Sequence, residues 1–188
     1  MLDRKRAEEL MLKNLESEHL IKHSYAVEAV MRALAKKLDP ENEEEWAISG
    51  LLHDLDADKV DYHNHPELHG PKTIEILKEE NYGNENMYHA ILAHNQDTKT
   101  EIKNKMDRAI YAADPITGFI TAITLVYPDK KISSVKVKSV TKRMKEKRFA
   151  AGANREAMKS VEKLEIPFRD FAELSLKAMT DISDKLGL

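Results

Sequence analysis

The sequence predicts an all-α fold, a single-domain helical bundle over residues 1–188, and three observations predict it. Apolar residues recur at helical spacing almost from end to end. Strand-like alternation is scarce, and Gly and Pro number only six each. Hydrophobic residues make up 41% and charged residues 34% of the chain, which fits one good core under a charge-rich surface.

The helices can be justified in chain order. Leu10, Leu12 and Leu15 mark a first helix. Tyr25, Val27, Val30, Met31, Leu34 and Leu38 mark a second, stopped by Asp39-Pro40 because the residue before proline is driven out of helical geometry. Glu43, Glu44 and Glu45 sit at the positive end of a third, which runs through Trp46 and Ile48 to Leu55. Pro71 suits the first position of "PKTIEILKEE", which ends before Asn81-Tyr82-Gly83. "ENMYHAILAHN" is a fifth helix, and Ile102 to Val126 a longer one closed by Tyr127-Pro128-Asp129. Ser133 or Ser134 caps a basic helix reaching about Phe149, and a short segment precedes Pro167. Phe168, Phe171, Leu174, Met179, Ile182 and Leu186 pattern the last helix. No internal repeat, low-complexity tract or linker interrupts the series.

Composition excludes several classes of function. No apolar run approaches the roughly 18 residues of a membrane span, and the charged N-terminus has no apolar signal core; a cytoplasmic protein is expected. The formal net charge of −3 provides no basic field for nucleic acid. Cys is absent, which removes disulfides and thiolate metal ligands. All eight histidines lie in the first half, whereas Lys130 to Arg148 carries nine Lys or Arg against the single acid Glu146. Helices over about 20–126 that carry most of the histidines are thus followed by basic and C-terminal helices over about 133–188.

Several polar residues lie on or beside apolar helix faces. His23 opens "KHSYAVEAVMRALA", His53 and Asp54 stand together in "GLLHDL", His94 ends "AILAHN", and Asp114 follows "AIYAA". Unpaired, such groups are costly to bury. Taken singly, each reads as a satisfied core polar residue. As a set, imidazoles and carboxylates are what a transition metal accepts when no thiol is present, and facing helices of a bundle can bring them together.

The ordered set His23, His53-Asp54, Asp114 resembles the signature of HD-domain metal-dependent phosphohydrolases. "LHGPKTIEIL" and "AILAHN" are similar to the two extra histidine motifs of dinuclear HD proteins, and "DPITGFITAITLVYPDKK" with "SVTKRMKEKRFAAGANRE" resembles a subgroup of small HD-superfamily hydrolases. The GYP tripeptide and double histidine of cyclic-dinucleotide phosphodiesterases are missing, which disfavours that activity. The resemblance implies that His23, His53, Asp54 and Asp114 hold one divalent metal and that Asp54 bridges to a second held by His69 and His94. It implies Fe or Mn, with Zn, Co and Ni also accommodated and Mg less suited. The implied reaction is hydrolysis of a small phosphorylated substrate, a nucleotide foremost, by a water acidified between two cations. A mononuclear nucleoside 5′-monophosphatase and a non-catalytic nucleotide-binding module remain as alternatives.

Other polar residues divide as follows. His69, before Gly70-Pro71 and a helix start, is a better ligand than His65 in the turn His65-Pro66. His63 reads as surface or supporting. His19 reads as solvated, and His89, five residues before His94, as off its face. Asp56 and Asp58 read as surface acids, with Asp56 the candidate proton donor to a leaving group. Asn95 either orients a ligand or touches phosphate. The basic segment solvates a helix or, if it faces the cleft, binds phosphate through Lys142, Arg143, Lys147, Arg148 or Arg155, with Asn154 beside them.

Overall fold

The structure, a computed structural model, describes residues 2–188. Among the described residues there is no β-strand, and the family of helices expected from apolar spacing is present. No described helix is long and apolar enough to cross a membrane. One apolar cluster extends from Ala7 to Leu186.

Helix α1 (Arg4–Asn14) is capped by Asp3, whose carboxylate accepts from the Lys5 N–H. Its buried stripe is Ala7, Leu10 and Met11, continued by Leu15. Leu12 is half exposed at 51%, so the expected Leu10–Leu12–Leu15 face is corrected. Positions three and four apart share a helix face, and Leu12 falls off it.

Helix α2 (Glu18–Leu38) is the axis of the fold and packs on α3, α6 and α9. Val27, Val30, Met31 and Leu34 are fully buried along one side of it. Asp39 ends the helix; its carboxylate then accepts from Trp46 Nε1 at 3.2 Å on the next helix.

Helix α3 (Glu43–Leu52) crosses α2 at close range because of Gly50. A Cβ there would lie 2.9 Å from the Val27 carbonyl oxygen and 3.0 Å from Met31 Cγ. The regular helix stops at Leu52 and not at Leu55, a further correction. Tight turns follow, with Ala57 N–H donating to Asp54 O and Lys59 N–H to Asp56 O.

Helices α4 (Pro71–Glu79) and α5 (Glu85–His94) follow. Asn84 caps α5 by accepting from Met87 N–H, and α5 packs on α6 (Lys105–Leu125). The start of α6 is a capping box between Asn104 and Asp107, which satisfies donors that a helix end otherwise leaves unpaired. Pro115 lies inside it, directly after Asp114.

The expected basic helix to about Phe149 is much shorter. Helix α7 spans only Val137–Arg143, and neither Ser133 nor Ser134 caps it. Within it only Val140 is buried, too little apolar surface to sustain a longer helix. A turn-rich segment leads to α8 (Arg155–Lys159), which apolar spacing did not reveal. The last expected helix is divided into α9 (Phe168–Thr180) and α10 (Ser183–Leu186).

Candidate metal centre

Gly50 brings the end of α3 against α2, and that crossing places His53 and Asp54 beside His23. Helix α6 adds Asp114, while the chain between α3 and α4 supplies His69 and the end of α5 supplies His94. The Nε2 atom of His23 lies 3.0 Å from Asp114 Oδ1 and 3.5 Å from Asp54 Oδ2. His53 Nε2 is 3.2 Å from Asp54 Oδ1 and 3.8 Å from Asp114 Oδ1. On the other side, Asp54 Oδ1 is 3.2 Å from His69 Nε2 and 3.6 Å from His94 Nε2. Two triads result, His23–His53–Asp54 and Asp54–His69–His94, each with its ligand atoms within 4.8 Å of one another. Asp54 belongs to both.

All four rings are oriented alike, with Nδ1 tied to the protein and Nε2 turned to the cluster. His53 Nδ1 donates to Gly50 O at 2.8 Å, and His94 Nδ1 to Ile91 O. His69 Nδ1 donates to Asp56 Oδ1 at 2.7 Å. The Thr117 hydroxyl has one proton, given to Asp114 O at 2.9 Å, so it accepts from His23 Nδ1 at 3.1 Å. Such bonds fix a neutral imidazole as the tautomer whose other nitrogen is a free lone pair. The donor set suits a divalent cation. His53 Nε2 is buried with no hydrogen-bond partner, and the Nε2 atoms of His69 and His94 face each other at 3.1 Å. Two lone pairs at that distance repel unless a cation or a proton lies between them.

A family model described as HD domain matches residues 20–118, just over half the chain. The chain belongs to the HD-domain family. Members of that family are mostly metal-dependent hydrolases, and the six converging side chains of this HD domain all lie within the matched span. No curated protein and no solved structure matches the chain.

Burial favours neutral carboxyls at Asp54 and Asp114, but the surrounding histidines outweigh it and keep both below the usual carboxylate range. Burial likewise opposes charge on His53, yet Asp54 and Asp114 raise its pKa. His69 is carried up to about 10 by Asp54 and Asp56 against its burial. His94, buried and beside His53, is lowered to about 4.

Several expected roles change with the geometry. Asp56 is fully buried and is no surface acid. Its Oδ1 holds His69, and its Oδ2 accepts from Gly70 N–H at 2.7 Å and Thr73 N–H at 3.1 Å at the start of α4. With both oxygens committed it positions His69 and is not placed to protonate a leaving group. Asp58 is exposed, as expected of a surface acid, and accepts from the N–H and the hydroxyl of Ser17 ahead of α2. Asn95 donates to Pro66 O and His69 O, so it ties down the His69 loop, and its amide hydrogens are spent on that rather than on phosphate. His65 is exposed and pairs with Glu67, and His89 faces Asp107 at 3.0 Å, away from the cluster.

The basic segment also differs from expectation. Its trailing loop, Ala150, Gly152, Ala153 and Asn154, borders the groove over His23 and Asp114, and none of its cations does. Lys142, Lys147 and Arg148 are exposed. Arg143 pairs with Glu146 and lies over the Phe149 ring. Arg155 spends all five N–H donors on the carbonyls of Met144, Glu146, Phe149, Ala150 and Ala153. None is left for a phosphate. Sequence reasoning missed Thr117, although its place three residues after Asp114, on the same face of α6, is a usable signal.

Proposed function

We propose that this HD domain is a phosphohydrolase with two divalent metals, Fe or Mn in preference, acting on a phosphate ester or phosphoanhydride of a small molecule such as a nucleotide. The observation that carries the reading is Asp54, shared by two triads whose histidines all present Nε2. His23, His53, Asp54 and Asp114 would hold one ion, and Asp54, His69 and His94 the other. Such a pair supplies an acidified water and neutralises charge on phosphate oxygens.

The chain's own contribution is to orient and to exclude water. Thr117, Gly50, Asp56 and Ile91 lock the four rings before any ion arrives, so no reorganisation is needed at the site. His53 and His94 are closed off at 0% and 3% side-chain exposure, while Asp114 stands most open at 33%, with His23 at 20% and His69 at 18%. The groove lined by Asp114 and His23 is therefore the side from which substrate would approach. The test is metal counting on protein purified without chelator, together with hydrolysis of a panel of phosphate esters and nucleotides with Mn or Fe supplied. Two ions per chain and activity lost in Asp54→Ala are expected. One ion per chain, retained in His69→Ala, would overturn the two-metal reading, and activity that survives Asp54→Ala would overturn the enzyme reading.

A further inference from the structure

Two hollows meet at the open end of the cluster, and both are walled by His23 and Gly118. One, about 430 Å³, lies over Asp114 between α6 and the Ala150–Asn154 loop. The other, about 290 Å³, runs along α2 and is lined mainly by Leu20, Ala26, Thr121, Leu186 and Leu188. Gly118 is the saddle between them, one turn beyond Asp114 on α6.

This glycine has no backbone reason to be there. Its φ is not left-handed, and a Cβ built on it meets nothing within 4 Å. Gly50, in contrast, is required by the α2–α3 crossing, and Gly70 by a φ of +98°. A glycine inside a helix costs stability relative to alanine, so what Gly118 provides is open space beside two metal-site residues. No Asp or Glu side chain lines the α2-side hollow; beside His23 its basic groups are Lys22, paired with Glu18 at 2.8 Å, and the exposed imidazole of His19.

We infer that the α2-side hollow binds the uncharged, apolar organic part of a phosphate ester whose phosphate sits over His23 and Asp114, with Gly118 as the gate between the two. The inference rests on the proposed phosphohydrolase reading and names its substrate class. An ester of this kind crosses Gly118 where any larger side chain would block it. A second anionic group finds there only a lysine already paired with Glu18 and the exposed imidazole of His19, against a lining of Leu20, Ala26, Leu186 and Leu188.

Non-hydrolysable phosphonates separate binding from turnover. Calorimetry on the Mn-loaded protein should show phenylphosphonate binding about tenfold more tightly than methylphosphonate, the scale expected for burying part of a ring. Gly118→Leu should bring the two within about twofold by the same burial argument, with metal content unchanged. Thr121→Phe fills the α2-side hollow from one turn further along α6 without lining the hollow over Asp114; it should remove the preference with methylphosphonate affinity unchanged, which also covers the case of an unfolded Gly118→Leu. Equal wild-type affinities, a preference that survives both substitutions, or no binding of either phosphonate overturns the inference. Turnover is scored separately: a protein with this binding pattern that hydrolyses no ester loses the hydrolase reading and keeps the groove.

Discussion

Asp56 Oδ1 lies 2.7 Å from Nδ1 of His69, while Oδ2 of the same carboxylate receives two backbone N–H groups at the start of α4. One buried acid thus couples a helix terminus to the orientation of the His69 ring. Asp56→Asn keeps the volume but removes the charge that holds the His69 tautomer. Affinity for one of two ions should fall about 10–100-fold, the usual effect of losing such a supporting carboxylate. Metal titration resolves this as one weakened and one unchanged site. Equal weakening of both would mean general unfolding instead.

Thr117 does the corresponding work for His23. Thr117→Val deletes the hydroxyl between His23 Nδ1 and Asp114 O while keeping the shape. The other ion should now be the one weakened, again by roughly tenfold or more, and Thr117→Ser should restore it. Because the two variants act on opposite triads, their metal-binding profiles should be mirror images.

Two glycines make opposite predictions for the same substitution. Gly50→Ala pushes a methyl to 2.9 Å from the Val27 carbonyl and should cost about 1–3 kcal/mol through overpacking. Gly118→Ala meets open space and should gain up to about 1 kcal/mol from helix propensity. Denaturant midpoints measure both. Gly50→Ala should also weaken metal binding, since it separates His53 from His23, whereas Gly118→Ala should leave it intact.

The metal-free protein should be most stable near pH 6.5. His69 is raised from 6.5 to about 10, so its contribution is complete below 6.5 and lost as pH climbs towards 10. His94 is lowered from 6.5 to about 4, so its contribution is present above 6.5 and lost as pH falls towards 4. Melting temperatures of chelator-treated protein should fall on both sides of that maximum. With metal bound, the alkaline decline should disappear, because a cation then occupies the place of the His69 proton.

The site was legible in the sequence to the extent that its ligands sit at helix positions. His23, His53, Asp54, His94 and Asp114 stand out as polar residues on or beside apolar faces: His23 and Asp114 lie within α2 and α6, His94 ends α5, and His53 and Asp54 directly follow α3. What supports them was not legible. A helix continued through "HDLDADK" puts Asp56 off the cluster, but α3 ends at Leu52 and tight turns swing it beneath His69. In the Lys-rich run Val137, Val140 and Met144 keep helical spacing, but Lys147 and Arg148 fall where the stripe would continue, so the helix ends at Arg143 and not at Phe149.

Arg155 is the sharpest case, because its acceptors are carbonyls, which every residue carries and no sequence pattern marks. Its guanidinium gathers five of them from the segment between α7 and α8 and lies 5.3 Å over the Phe119 ring. A lysine has only three donors and no planar fork, so Arg155→Lys must leave at least two of those carbonyls without their partner. Loss of about 1–3 kcal/mol for each acceptor left dry is the relevant scale, less where water reaches it. The expected outcome is lower stability and faster proteolytic cutting between Met144 and Asn154, with metal content unchanged, since every proposed ligand lies before that segment. Were Arg155 instead a phosphate-binding residue, the same variant would keep its stability and protease resistance and lose substrate affinity alone. Proteolysis and calorimetric binding on one preparation distinguish the two, and the five occupied donors predict the first.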